Sequence, residues 1–480
     1  MTEIQLPATE KDACGRDGCT TPFAKRVIAF YTLALSVAFL VASAAAYFYT
    51  AEGAFLENLI KIISSPSKLV TDYFALGGLS ATFFNTAVCG LLTNVIIFLT
   101  LKNVTTSTLA AYMLVVAHGF YGLNFVNMWP PVLGVLLFCL VTKRSFGENA
   151  HIALFSTALG PFIGELLFRY ALKDGGVGGH RVTVIGIVFA LIFGLLSGFI
   201  VPALLPGTSK MHRGYNMYKA GLAIGILGIF VFNFMYTSFG KPAPETLIID
   251  NPEYFALPYA YRLFMNSFFI SIFVGTLIFG FLLNKKSFRG YAALWRSTGY
   301  GVDFLNKFGP GVAMINIGVL GLCIIAYLNT VFVLPEFFTA LPSGVGFTGA
   351  TVGVVFAALT FAADGQQPRT VFPIVLGYTL LFVMVAGSCY LAGASIPWTL
   401  SSQSYINGLA FSTGLCPFSG KYGRKIGVLA GFLSAVICTA TAEMHGGLVL
   451  YNGGFTAGLT ALVLLPILDF YKIRPKHEDD

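Results

Sequence analysis

Apolar runs of membrane-spanning length alternate with short polar or charged stretches from Arg26 to Phe470. Several of these runs, such as 26–49, 182–205 and 263–284, carry almost no charge over 20 or more residues. An α-helix needs about 20 apolar residues to cross the hydrocarbon core of a bilayer. With 56% hydrophobic and 10% charged residues, the chain is predicted to be an all-α polytopic membrane protein with about 10–14 membrane helices, half-helices or re-entrant segments included.

One polar interruption of the apolar pattern occurs twice. Phe155-Ser-Thr-Ala-Leu-Gly-Pro-Phe162 is repeated as Phe411-Ser-Thr-Gly-Leu-Cys-Pro-Phe418, with two letters changed. Proline removes a backbone donor and clashes with the preceding helical turn, which frees backbone groups that lipid cannot satisfy. Broken helices at corresponding places in two halves of a membrane protein point to a solute path. We therefore predict that the path passes these two motifs.

Further pairs of short segments recur in the same order, which predicts two homologous repeats. The stretch 84–90 aligns with 347–353, and Tyr218 aligns with Tyr451. Whether the repeats are inverted or parallel stays open. The predicted division is a tail at 1–25, a first repeat at 26–240, an acidic outer loop with a linking helix and a basic loop at 241–309, a second repeat at 310–471, and a tail at 472–480.

The formal charge of +8 comes from Lys and Arg in short clusters between apolar runs. This placement is typical of loops that obey the positive-inside rule, so nucleic acid is not expected as a partner. The loop at 241–257 is acidic, whereas the one at 285–307 is basic. We therefore predict a bacterial inner-membrane protein, surrounded by lipid bilayer, with both termini in the cytosol.

The motif residues are the first candidates for contact with a solute. Hydroxyls and freed carbonyls can replace the hydration shell of a polar solute; the alternative is that the hydroxyls bond the backbone of their own helix. Asn85 and Thr86 form another polar break, for which bonding between helices is the alternative. The four motif phenylalanines are predicted to form an apolar constriction. The expected path residues are Phe155, Ser156, Thr157, Pro161, Phe162, Phe411, Ser412, Thr413, Pro417, Phe418, Asn85 and Thr86.

Three ionisable residues in apolar stretches are candidates for coupling or gating. Glu165 and Arg169 stand four apart on one helical face, and His118 lies in a strongly apolar run. Ionisable side chains within a membrane carry a functional hypothesis, but a self-neutralising pair or a bonded neutral imidazole is the alternative. No nucleotide loop, metal-binding motif or nucleophile elbow is found, so we expect no cofactor, no metal site and no catalytic residues.

The motifs resemble the urea-transporter family, whose halves each carry an LPxxTxPF signature. Pro161-Phe162 and Pro417-Phe418 match its end, while its Thr is Leu159 and Leu415 here. Asn85 and Gly90 match the first and last letters of a second family stretch, Asn-Asn-Pro-Leu-Ser-Gly. This resemblance implies a trimer with one pore in each copy. The chain also resembles a bacterial membrane family of unassigned function that is built from two copies of one domain.

The sequence thus favours a channel or transporter for a small, neutral polar solute such as urea or an amide. A proton- or sodium-coupled secondary transporter of a small metabolite is the alternative. An intramembrane enzyme acting on a lipid-linked substrate is the alternative from another functional class, and it would need a compact acid/base or metal constellation.

Overall fold

The computed structural model describes residues 20–50, 53–69, 71–170, 182–242 and 261–477. Regular structure in this part of the chain is helical, and nine of its helical stretches are long and apolar enough to cross a bilayer. The prediction of an all-α polytopic membrane protein is confirmed. The first half contains α1 (Pro22–Thr50), α2 (Phe55–Ile63), α3 (Tyr73–Leu99), α4 (Thr106–Gly119), α5 (Trp129–Thr142), α6 (Phe146–Ser156), α7 (Gly160–Glu165), α8 (Val184–Met211) and α9 (Lys219–Met235).

The second half repeats this order of elements, beginning with the counterpart of α1. Its helices are α10 (Arg262–Leu283), α11 (Tyr291–Arg296), α12 (Phe304–Lys307), α13 (Pro310–Phe337), α14 (Gly349–Ala358), α15 (Pro368–Leu391), α16 (Gln403–Ser412), α17 (Cys416–Tyr422), α18 (Arg424–Ile437), α19 (Ala440–Glu443) and α20 (Asn452–Phe470).

Helix packing shows which elements correspond. Helix α1 packs along α3 as α10 packs along α13, and α5 packs along α8 as α15 packs along α18. The short helices α4 and α14 contact each other, as do α9 and α20. A pseudo-twofold relationship therefore places α4 against its counterpart α14, and α9 against its counterpart α20.

The two repeats run in opposite directions. Asp72 lies just before α3 and accepts a hydrogen bond from the backbone N–H of Gly349 (2.8 Å). Gly349 is the first residue of α14, the next helix after α13. Asp303, which precedes α13, accepts one from the hydroxyl of Thr106, which follows α3 (2.5 Å). The start of each helix thus lies beside the end of the other, so α3 and α13 are antiparallel. The repeats are of inverted topology, a question that the sequence had left open.

We call the side of the bundle that carries Asp303 and Thr106 the near face, and the side that carries Asp72 and Gly349 the far face. The ammonium group of Lys25 contacts the carbonyl of Lys102 on the near face. The N–H of Lys476 donates to the carbonyl of Lys421 (2.7 Å). The Lys421 ammonium in turn lies over the ring of Tyr300, which is three residues before Asp303. Both ends of the described chain therefore lie at the near face.

One sequence alignment differs from the structure. The stretch 84–90 lies inside α3, whereas 347–353 forms the start of α14. The structural counterpart of Asn85 is Asn316 in α13, because both side chains bind carbonyls at or just after the ends of the paired short helices α4 and α14. Stretches rich in Gly, Thr and Val are common in membrane helices, so a match of few letters does not fix the register.

Candidate functional site

Both repeated motifs form helix breaks in the structure. Helix α6 ends at Ser156, a 3-10 turn covers Thr157–Leu159, and α7 begins at Gly160. The second copy follows the same course through Thr413–Leu415 to α17. Pro161 and Pro417 lie in the first turn of the new helices, where the missing N–H costs nothing. The breaks predicted from Pro161 and Pro417 are therefore present at equivalent places.

Each break frees a carbonyl that the other repeat binds. The N–H of Leu450 donates to the carbonyl of Ala158 in the first motif (3.0 Å), and the N–H of Met217 donates to the carbonyl of Gly414 in the second (3.0 Å). Leu450 directly precedes α20's N-cap residue Tyr451, as Met217 precedes Tyr218 at α9. Since buried carbonyls need a partner, these reciprocal bonds join the two repeats at the centre of the fold.

The motif hydroxyls bond their own helices. The Ser156 hydroxyl donates to Ala153 (2.7 Å) and that of Thr157 to Leu154 (2.7 Å). Ser412 and Thr413 do the same toward Gly408 and Ala410, and the Ser412 oxygen also contacts Tyr378 and Ser434. All four side chains are at most 4% exposed. Their protons therefore stabilise the breaks, which leaves the oxygen lone pairs as the groups that a solute could use.

The four motif phenylalanines do not form one constriction. The Phe155 ring packs against Tyr451 and the Phe411 ring against Tyr218, with centroids 6.4 and 5.1 Å apart. Phe418 instead packs against Tyr215, in a separate apolar cluster. Phe162 is buried in the main core. The structure thus brings Phe155 and Phe411 together with two central tyrosines, whereas Phe162 and Phe418 support the breaks from outside.

His118 lies beside these rings, at the inner end of α4. Its Nδ1 is 2.6 Å from the carbonyl oxygen of Leu114, and its Nε2 is 3.2 Å from that of Leu450. A neutral imidazole has one N–H, so it can donate to only one of these two acceptors, whereas an imidazolium donates to both. The rings of Tyr121, Tyr451 and Phe411 surround it. The structure therefore brings His118 to the central site.

Sequence reasoning missed several polar groups at this centre. The hydroxyls of Tyr121, Tyr451 and Thr360 are buried and have no hydrogen-bond partner in the described part of the chain. The side-chain amide of Gln366 donates to the Thr413 hydroxyl (2.7 Å). The hydroxyl of Tyr218 donates to the carbonyl of Ala357 (2.5 Å). The repeat equivalence of Tyr218 and Tyr451 was the one sequence signal that could have drawn attention to this cluster.

Asn85 anchors the break after α4. Its amide nitrogen donates to the carbonyls of Gly119 and Leu123, at 2.8 and 3.0 Å. Its Oδ1 is buried with no partner in the described chain. The hydroxyl of Thr86 bonds its own helix at Thr82 (3.0 Å), and its backbone lies against Gly119. The polar break thus lies mainly after α4, and Asn85 supports it from the neighbouring helix.

Glu165 and Arg169 lie away from the centre, toward the far face. The Arg169 guanidinium donates through Nε and one terminal nitrogen to the Glu165 carboxylate, at 2.9 and 2.5 Å. Tyr236 donates to the same carboxylate (2.5 Å). Both charged side chains are at most 9% exposed. The geometry is that of a self-neutralised pair joining the end of α7 to the end of α9.

No group of three or more His, Cys, Asp or Glu side chains suited to a metal ion occurs within the described residues. The central site instead consists of hydroxyls, amides, carbonyls and one imidazole. Such a set can hold and exchange hydrogen bonds with a polar molecule.

Comparison with known proteins identifies one family. The profile of the family described as "Protein of unknown function (DUF1576)" matches the chain twice, at residues 51–237 and 283–470. No curated protein and no solved structure matches the chain. The two matches begin before α2 and before α11 and end just after α9 and at the last residue of α20, which agrees with the two structural repeats. The chain therefore belongs to the DUF1576 family and contains the family's domain twice.

Proposed function

We propose that this protein is a gated membrane transporter for a small, neutral polar solute. The observation that carries the proposal is the pair of reciprocal bonds from Leu450 to Ala158 and from Met217 to Gly414. In inverted-repeat transporters, broken helices meet at the repeat interface, and one repeat moves against the other around that site. Here each break is held by a single backbone bond from the opposite repeat, which a relative movement can break and re-form.

Burial at the two breaks favours a gated transporter over a permanently open channel. Ser156, Thr157, Ser412 and Thr413 are all at most 4% exposed, and Phe411 is 2% exposed. The route past the two motifs is thus closed to water in this conformation. Passage of a solute would require the repeats to separate on one face at a time.

The chemistry of the centre favours a neutral solute. The hydroxyls of Tyr121, Tyr451 and Thr360 are available there as donors or acceptors, and the central groups named above carry no formal charge unless His118 is protonated. Urea and simple amides present both N–H donors and a carbonyl acceptor, which complements such a lining. The weak motif resemblance to urea transporters points the same way, and it would also imply that the protein assembles into a trimer.

Orientation in the membrane follows from charge. Lys25, Lys102, Arg296 and Lys476 lie at the near face, and the positive-inside rule places such clusters in the cytosol. The proposed location is a bacterial inner membrane with the near face inward.

The test is solute uptake into liposomes that contain the purified protein, with urea and acetamide as probes. Tyr121→Phe and Tyr451→Phe each remove a buried hydroxyl that has no hydrogen-bond partner among the described residues, so the fold should be retained. If the solute uses these groups, loss of one hydrogen bond of about 1.4 kcal/mol should slow flux roughly tenfold.

Tyr31→Phe is the matched control. Tyr31 is also buried, but its hydroxyl bonds Thr276 between α1 and α10, away from the centre. Unchanged flux in the two central variants, or an equal loss in Tyr31→Phe, would refute the site. Ser156→Ala should also lower flux, because it removes a hydroxyl oxygen at the first break.

Coupling to protons is the second candidate function, and the two carbonyls facing His118 favour it. Protonation would let the ring bond Leu114 and Leu450 together, and Leu450 in turn binds the first break through its N–H. The titratable groups whose rings pack against His118 are Tyr121 and Tyr451. An inward proton gradient should then accelerate uptake in the native protein but not in His118→Gln. Equal uptake with and without the gradient would exclude coupling and leave facilitated passage.

A further inference from the structure

A strongly basic cavity opens between the second repeat and the α11 segment at the near face. It has a volume of about 710 Å³, and none of the described residues that line it is acidic. Like charges that share a cavity repel one another unless an anion neutralises them. The cationic or ionisable side chains in its lining are Arg296, Arg369, Arg424, Lys425, Lys476 and His477.

The cavity also contains a buried hydroxyl that no described residue bonds. Ser419 lines it, is 7% exposed, and its Oγ has no hydrogen-bond partner among the described residues. A buried hydroxyl without a partner costs free energy, and an oxygen of a bound anion would relieve that cost. Arg424 and Lys425, the first two residues of α18, lie in the same cavity, where the positive end of the helix dipole also favours an anion.

Arg369 is already oriented for such a ligand. One of its terminal nitrogens donates to the carbonyls of Trp295 and Arg296, at 3.3 and 3.1 Å. These bonds fix the guanidinium at the cavity wall. A guanidinium has five N–H donors in a planar fork that matches phosphate oxygens.

A second cavity, about 720 Å³ in volume, lies beside the first one. Arg369 and Arg424 line both cavities. Its walls are otherwise mainly apolar side chains of α13, α14, α15 and α16, and it reaches Thr413 at the second break. Phe372 on its wall is 60% exposed, so the groove is open toward the surroundings of the bundle. The basic cavity can thus hold a charged head, and the adjoining apolar cavity can hold a chain attached to it.

We propose that these two cavities form one binding site for an anionic phospholipid. The phosphate lies among Arg369, Arg424 and Ser419, and an acyl chain occupies the apolar groove. Basic pockets between membrane helices on the cytoplasmic side are suited to anionic headgroups. The site goes beyond the proposed solute path and does not depend on it, although its inner end at Thr413 places a bound chain beside the second break.

The test uses native mass spectrometry of the full chain in detergent, with dioleoyl phosphatidate, dioleoyl phosphatidylcholine and inorganic phosphate as probes. We expect phosphatidate to bind at least tenfold more tightly than phosphatidylcholine. The double variant Arg369→Gln/Arg424→Gln should weaken phosphatidate binding at least tenfold. The control Lys285→Gln/Arg289→Gln removes two exposed charges from the same face outside both cavities, and it should change binding less than twofold.

The apolar groove is tested separately. Val375→Phe fills the groove and should weaken the binding of phosphatidate but not that of inorganic phosphate. The exposed Phe372→Ala gives a second groove variant that leaves the core intact. Equal phosphatidate binding in the cavity variants and the control would overturn the proposal.

Two other occupants of the basic cavity have distinct outcomes. Phosphate binding with no preference for phosphatidate would overturn the lipid assignment and identify a site for soluble anions. The acidic residues Glu478, Asp479 and Asp480 follow His477 in the sequence. Lipid binding that occurs only after truncation at His477 would assign the cavity to the chain's own carboxylates instead.

Discussion

Asn85 and Asn316 occupy equivalent positions in the antiparallel helices α3 and α13 and make the same pair of bonds. The amide nitrogen of Asn85 donates to the carbonyls of Gly119 and Leu123, and that of Asn316 donates to those of Ala362 and Gln366 (2.7 Å each). In both repeats the accepting carbonyls are four residues apart, where a short helix has ended. Each asparagine thus replaces the helical donors that the chain no longer supplies, which allows α4 and α14 to stop inside the bundle.

Asn85→Leu and Asn316→Leu should each destabilise the protein by about 1–2 kcal/mol, because two buried carbonyls lose their donor. Thermal unfolding in detergent, followed by intrinsic fluorescence, measures the effect. Asn233→Leu is the control, since this partly buried asparagine bonds only residues four positions away along the chain, the carbonyl of Ile229 and the exposed hydroxyl of Thr237. Equal melting temperatures for all three variants would contradict the anchoring role.

The crossing of α9 and α20 should tolerate no side chain at Gly221. A Cβ there would lie 2.5 Å from the carbonyl carbon of Gly454. Gly221→Ala is therefore expected to push the helices apart, to cost about 1–3 kcal/mol and to reduce flux. Gly275→Ala in α10 is the control, because a Cβ at Gly275 would meet nothing within 4 Å. A native melting temperature and flux in Gly221→Ala would show that the crossing can relax.

The buried ion pair Glu165–Arg169 should contribute far more to stability than the exposed pair Glu57–Lys61, which has the same spacing of four residues. Glu165→Ala removes the carboxylate and leaves the buried guanidinium of Arg169 without a counter-charge. This should lower the free energy of unfolding by about 3–5 kcal/mol. Lys61→Ala breaks a pair whose side chains are 45% and 67% exposed, so its cost should stay below about 0.5 kcal/mol. Denaturation midpoints of the two variants provide the comparison.

The double variant Glu165→Leu/Arg169→Met separates structure from coupling. If the pair is structural, this variant regains much of the stability lost in Glu165→Ala and keeps its uptake. Loss of gradient-driven uptake in a stable double variant would instead give the pair a role in coupling.

Stability should depend on pH through Asp72. Burial raises the pKa of this carboxyl to about 6, against the opposing effect of the N–H groups of Gly349 and Phe74. A folded-state pKa above the unfolded value means that the folded state binds the proton more tightly. The contribution of Asp72 to stability should therefore increase, by an amount on the order of 2–3 kcal/mol, as the pH falls from 8 through 6 toward 4.

Asp72→Asn should remove this contribution from the pH profile. Both N–H groups donate to Oδ1 of Asp72, and an amide oxygen can accept them without a charge, so the variant should be at least as stable as the native protein at pH 8. Melting temperatures measured across pH 4–8 test the expectation. Asp469→Asn, which removes a 47% exposed carboxylate, should leave the pH profile unchanged.

Local chemistry predicted much of the central site. Pro161 and Pro417 favour the first turn of a new helix, because the missing donor and the ring clash are tolerated there and disfavoured further inside a helix. The repeated letters around them also located both breaks. The partners of the freed carbonyls, Leu450 and Met217, could not be found in this way, since a backbone N–H has no sequence signature. Tyr121 and Thr360 were missed because nothing in their local pattern distinguishes them from core residues.

The sequence by itself determined that this protein lies in a lipid bilayer, that it is helical and that it contains a duplication. These properties depend on hydrophobic runs, helix breakers and repeated segments, all of which are local along the chain. The tertiary structure decided that the repeats are inverted, that Asn316 rather than 347–353 corresponds to Asn85, and that Glu165–Arg169 lies far from His118. Those relationships arise from contacts across more than a hundred residues, such as Asp72 with Gly349, and only the packed bundle specifies which distant groups meet.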